Sequence, residues 1–165
     1  MLRRIDVRDI IKDHVNTLYD ARTNRRSNGD VFLFFIFPAL VAGVLVWAEI
    51  RLTSPIANQV ITALAIFAGL LFNLLLLAHS LMEKASADKG IVKRVIREIY
   101  SNISFAILVA LVLIFVSVAS LLSKAPAFSV VISIIAFYFL LNFLLTLLMI
   151  LSRIHTLLSR DFNLN

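Results

Sequence analysis

The chain has no cysteine, four glycines and three prolines in 165 residues. Without thiols there is no disulfide framework, no Cys-ligated metal and no thiol catalysis, and the redox compartment leaves no mark. Four glycines do not make a phosphate-cradling loop. The three histidines, His14, His79 and His155, lie far apart at no ligand spacing, so neither a metal nor a cofactor is expected. Carboxylates are scarce where they would matter most. An intramembrane hydrolase needs an Asp pair, a Ser–His arrangement or a metal triad, and a proton relay needs acids in the membrane. The apolar runs hold no Asp, one acid at the extreme end of the first (Glu49), and one histidine, His79. No set of groups fills named catalytic roles, and the chain is expected not to be an enzyme.

What the chain has in abundance is uninterrupted apolar sequence. The segments 31–50, 56–82, 104–122 and 128–150 are uncharged apart from Glu49, and the mean hydropathy is +0.95. At 1.5 Å per residue each approaches or exceeds the roughly 30 Å of a bilayer's hydrocarbon. Two short turns, RLTSP at 51–55 and SKAP at 123–126, join them in pairs. The fold class expected is an all-α membrane protein: four transmembrane helices as two antiparallel hairpins, plus an N-terminal amphipathic cytoplasmic helix. Residues 1–30 form that helix and its hinge, 31–160 the transmembrane domain with a cytoplasmic loop at 83–103, and 161–165 a tail. This fills one domain and leaves no room for a soluble catalytic unit. About thirty polar residues precede the first apolar run and no small-residue cleavage site follows it, so no cleaved leader is expected.

The net charge of +6 raises the question of nucleic acid, but the distribution points elsewhere. Fourteen of the sixteen Lys and Arg residues lie before residue 31, in the central loop or after the last run; the two turns hold only Arg51 and Lys124. By the positive-inside rule both termini and the central loop are cytoplasmic in a multi-pass inner-membrane protein. Few aromatics accompany the basic residues, and no direct nucleic-acid contact is expected.

In residues 1–22, Val7, Ile11, Val15 and Leu18, with Ile10 beside them, recur at helical spacing among charged residues. The plain reading is a helix on the inner membrane surface, and the sharper one a docking helix for a cytoplasmic partner or neighbouring protomer. Five acids (Asp6, Asp9, Asp13, Asp20 and, beyond the helix, Asp30) interrupt the positive charge, so it is no polybasic lipid clamp, and His14 is expected on its solvated face. The stretch TNRRSNGD at 23–30 reads as a hinge. Lys93, Arg94 and Arg97 form the basic side of a second amphipathic stretch, 91–100, that runs into the third crossing. Together with Arg4, Arg8 and Lys12 they make the expected cytoplasmic interface.

In the first crossing Pro38 removes a backbone donor near the start, where the loss is modest. Ala39 and Gly43 offer a small-residue strip whose mate is expected at Ala65 and Gly69, within or between chains. Trp47, Glu49 and Arg51 mark the outer interface, with both charges in water. Asn73 lies 18 residues past Pro55 and Asn142 16 past Pro126, at similar depth, with Thr146 on the Asn142 face. These amides can bond to each other, to backbone, or around a ring of protomers. A packing contact is favoured over a pore constriction, because a pore shows a whole polar stripe. Each half thus reads as basic amphipathic helix, crossing, Pro turn and crossing with a deep Asn. The last helix continues past Ile150 through Leu151, Ile154, Leu157 and Leu158, and its apolar stripe needs cover.

The whole plan, with the tail SRIHTLLSRDF and the segment IREIYSNISFAILVAL, resembles the small four-helix membrane proteins of bacterial anti-phage defence systems. That resemblance implies a membrane sensor or effector that oligomerises and works with a cytoplasmic partner. The function expected is therefore a non-catalytic homo-oligomer in the bilayer with a cytoplasmic protein partner. Two alternatives stay open. A channel or exporter subunit requires a continuous polar path through Asn73, Asn142 and Thr146, and a passive anchor for a soluble enzyme is a monomer until its partner arrives.

Overall fold

The computed structural model describes residues 7–17, 29, 32–84, 91–122 and 125–161. Arg4, residues 18–22, the hinge apart from Gly29, the loop centre at 85–90 and the tail from 162 lie outside the described residues. Among the described residues there are helices and no strand: α1 (Arg8–Thr17), a π-helical turn (Phe32–Ile36) leading directly into α2 (Phe37–Trp47), α3 (Ser54–Lys84), α4 (Ile91–Leu122) and α5 (Pro126–Asp161). Three of these, α3, α4 and α5, are long and apolar enough to cross a membrane. The fourth apolar helix, Phe32–Trp47, is shorter. At 1.5 Å per residue it measures roughly 24 Å, so the expected 31–50 crossing ends early.

The end of α2 is a left-handed cap. Glu49 takes φ 62°, a conformation seldom held by a side-chain-bearing residue. It persists because the cap satisfies the last carbonyls: Glu49 N–H donates to Val46 O (3.1 Å) and Ile50 N–H to Leu45 O (3.0 Å). Arg51 is half-buried, and its Nη1 donates to Val46 O at 2.9 Å. Arg51 is therefore a capping residue, where an exposed interfacial charge was expected. Beyond it, Leu52 is buried and its N–H donates to Ser133 Oγ on α5 at 2.9 Å. That bond fixes the turn to the bundle.

Helix α4 is the centre of the packing. It lies between α3 and α5 and carries α1 on a further side, while α2 packs on α5. The buried positions explain these partnerships. Leu64, Leu71 and Ala78 on α3 repeat every seven residues, as do Ala136, Phe143 and Ile150 on α5. On α4, Ile96, Ile99, Ile103, Ala106, Ala110, Leu113 and Ser117 alternate steps of three and four. This is the seam of a left-handed helix bundle, with alanines allowing close approach. The buried residues of the π turn and α2 follow another rule: Phe34, Pro38, Ala42 and Val46 repeat every four. Ala42 and Val46 meet Phe137 in a small separate cluster, and no α2 residue joins the main core.

Two expectations fail here. The helices of the first expected hairpin do not pack together, because α2 lies against α5 and α3 against α4. Nor do the two small-residue strips meet within the chain. Ala39, Gly43, Ala65 and Gly69 are all exposed, and a Cβ at either glycine would meet nothing within 4 Å. The heptad alanines hold the close contacts, and the glycine strips face away from the protein.

Candidate functional site at the α1 junction

Most of the buried polar side chains fall into two groups, to which Ser117 and Ser133 do not belong. One gathers where α1 meets α4 and α5, and the other lies between α2 and α5.

At the junction His14 is 2% exposed, contrary to its expected place on the solvated face. The physical reason is that α1 has three faces. On a helical wheel of 100° per residue, Val7, Ile11 and Val15 share one side, and Ile10, His14 and Thr17 lie about a quarter turn away. The second side meets the protein. Val7 and Ile11 stay exposed while the mixed face is buried in protein. The His14 ring stacks on Phe105 (centroids 3.8 Å apart, planes at 4°) and meets Phe34 edge-on at 5.9 Å. Its Nδ1 is 2.9 Å from Asn102 Oδ1 and must carry the hydrogen, since the amide oxygen only accepts. Thr17 Oγ1 lies 2.7 Å from His14 O and 2.9 Å from Asn102 Oδ1. Burial lowers the His14 pKa from 6.5 to about 4; the bond to Asn102 opposes this, and the Arg153 charge adds to it.

A chain of charges closes the junction. Arg153 Nη2 donates to Thr17 O at 2.9 Å, placing a guanidinium on the last carbonyl of α1, where the helix dipole favours a cation. Arg153 is also ion-paired to Glu98, which takes a second partner in Arg94 at 3.2 Å. Arg94, Glu98, Arg153 and Thr17 thus tie α4, α5 and α1 together. Beside them opens a cavity of about 580 Å³, walled by Asp13, Asn16 and Thr17 of α1 and by Arg94, Arg97 and Ser101 of α4.

In the second group, Asn142 Nδ2 donates to Phe34 O at 2.8 Å. Phe34 stands four residues before Pro38, and a proline has no N–H to return to that carbonyl. The amide of Asn142 supplies the donor the proline lacks. Thr146 is fully buried and donates to Asn142 O at 2.8 Å. Asn73 is exposed on α3, apart from both. The structure therefore brings Asn142 and Thr146 together and leaves Asn73 facing outward.

Of the expected basic interface, Arg94 and Arg97 share the cavity wall. Arg8 and Lys12 are exposed on α1 and Lys93 is half-buried, none of them on that wall. No protein-family model, curated protein or solved structure matches this chain. The site is read from its geometry alone. Among the described residues no group of three His, Asp or Glu side chains could hold a metal. His79 Nε2 lies 3.6 Å from Glu83 Oε1, both on the surface of α3, so this histidine has an acidic neighbour that the expected helix end at 82 had excluded.

Sequence reasoning missed His14, Thr17, Asn102, Glu98 and Arg153. The one available signal was on the helical wheel, where His14 falls between Val7 and Ile10 at the edge of the apolar stripe. Nothing local pointed to Asn102, 88 residues away.

Proposed function

We propose that the chain is a four-span integral membrane protein with both termini in the cytoplasm, non-catalytic, homo-oligomeric, and acting as a sensor or effector with a cytoplasmic partner. The observation that carries this reading is the seating of α1. A buried His14–Asn102 bond, a ring stack on Phe105 and the Arg153 guanidinium on its last carbonyl couple α1 to two long helices at once. A force on α1 is thereby transmitted to the α4–α5 contact, and a change in that contact to α1. Its exposed polar face, which carries Lys12, is the side offered to a partner. The short α2 serves as the fourth span together with its flanking residues, since its side opposite α5 exposes Leu40, Val44 and Trp47. Anti-phage defence is the setting proposed for such a device, on the resemblance of its sequence plan.

A channel finds less support. Thr146 spends its hydroxyl hydrogen and Asn142 one amide hydrogen on backbone carbonyls, and Asn73 is exposed on α3, apart from both. The test is a photo-crosslinking residue at Lys12 in cells, before and after phage infection. A cytoplasmic protein adduct that changes on infection is the expected result. A constant adduct would convert the reading to a passive anchor, and no adduct under either condition would reject the partner altogether.

A further inference from the structure

The cavity beside the junction has a charge pattern that the proposed function does not use. Of its charged lining, Arg94 is answered by Glu98, and Glu98 also by Arg153. Arg97 on the α4 wall and Asp13 on the α1 wall have no ion-pair partner among the described residues, and they do not reach each other. One open cation and one open anion thus face a shared space of about 580 Å³, within the usual range for a small-molecule site. Ser101 lines the same cavity; it is 8% exposed and its hydroxyl has no hydrogen-bond partner.

The level of the cavity narrows the ligand. Met82 closes it from the last turn of the apolar α3 window, and Tyr100 sits where α4 changes from the charged 93–98 stretch to uncharged sequence. A tyrosine at such a boundary marks the headgroup layer of a bilayer. Val7 and Ile11 are exposed on the same helix as Asp13, and a membrane surface at this level would cover them.

We infer that this cavity binds the zwitterionic headgroup of a phospholipid bearing a primary ammonium, phosphoethanolamine in type. The phosphate is held by Arg97 and the ammonium by Asp13. A ligand carrying only negative charge leaves Asp13 unanswered, and one carrying only positive charge leaves Arg97 unanswered. A trimethylated ammonium lacks the N–H groups that a carboxylate accepts. The inference rests on α1 lying at the membrane surface, and on no partner or oligomer.

The test is native mass spectrometry of the full chain released from micelles containing phosphatidylethanolamine, phosphatidylglycerol or phosphatidylcholine, for the wild type, Asp13→Asn and Arg97→Gln. Both substituted positions are exposed, and a thermal melt run alongside reports folding. Wild type is expected to retain phosphatidylethanolamine in preference to both other lipids. Arg97→Gln is expected to lose about tenfold in affinity for ethanolamine and glycerol lipids alike, since a charged hydrogen bond is worth that much. Asp13→Asn is expected to lose about tenfold for the ethanolamine lipid only, with phosphatidylglycerol bound as well or better. Equal retention of ethanolamine and choline lipids, or an unchanged ethanolamine-to-glycerol ratio in Asp13→Asn, would overturn the assignment. Displacement of the lipid by free phosphoethanolamine at millimolar concentration would overturn the lipid as its source. A missing Lys12 cross-link would bear on the partner and not on this site.

Discussion

Asn142 and Asn73 are the same residue type at matching distances from their turn prolines, on two helices that both follow a turn. Their fates are opposite. Asn142 is 5% exposed and bonded to the Phe34 carbonyl, while Asn73 lies on the outside of α3. The difference lies in the neighbours and not in the asparagines. Helix α5 is flanked by both α4 and α2, and 33% of its apolar window is buried; α3 has α4 alone, with 11% buried. A polar group in a membrane helix is a structural device where a second helix presents an unmet backbone carbonyl. Elsewhere it awaits lipid, water or another chain.

The largest effect expected from an enclosed polar group is at His14. Its pKa in the docked state, about 4, lies below the ordinary 6.5, so the undocked state binds the proton more tightly. Docking strength is therefore complete above about pH 6.5, falls as the pH drops towards 4, and is constant below. The full loss is on the order of 3 kcal/mol. Hydrogen exchange of the α1 amides between pH 7 and 4.5 should reveal it, and an α1 equally protected across that range would contradict the buried neutral imidazole. His14→Gln should remove the pH dependence.

Next comes Asn142→Leu, which strands the Phe34 carbonyl and should cost about 1–2 kcal/mol, read as a lowered midpoint of unfolding in detergent. The mechanism predicts its own rescue. Pro38→Ala restores an N–H four residues after Phe34, so the penalty of Asn142→Leu should shrink by about half in that background, a coupling that a double-mutant cycle measures directly. Additive penalties would mean that the amide and the proline are unrelated.

The smallest effect belongs to the other half of the comparison. Asn73→Leu and Gly69→Ala, both on open surface, should each change stability by no more than about 0.5 kcal/mol in a monomer. A loss of oligomer mass in nanodiscs on either substitution would place a second copy of the chain on this face of α3 and turn Asn73 into a partnered residue like Asn142.

How much of this was legible beforehand differs from residue to residue. The apolar runs marked α3, α4 and α5 to within a few residues at the turn ends, because a run without charges has few other uses. The same runs hid the ridge Phe34–Pro38–Ala42–Val46, since every other position in that stretch is apolar too and no contrast identifies the inner face. Asn142 was visible as an anomaly, but its partner was a backbone carbonyl, which carries no sequence identity. At α1 the visible stripe of Val7, Ile11 and Val15 did not name the side that meets the protein, which consists of an isoleucine, a histidine and a threonine. The Arg51 cap and the Leu52–Ser133 bond belong to the same class, being bonds between a side chain and a backbone group, the first five residues apart and the second 81.

The sequence by itself determined the helices and the spanning length of three apolar ones. In hydrocarbon a backbone must satisfy its own hydrogen bonds, so an uncharged run of this length has the helix as its only economical form. Only the tertiary structure decided which faces meet, why α2 leaves its hairpin partner for α5, and where the polar groups go. The reason is physical: lipid and a neighbouring helix are equally apolar, so hydrophobic patterning cannot tell one from the other. The choice falls to alanine-lined seams and to the few donors and acceptors that find partners far away in the chain.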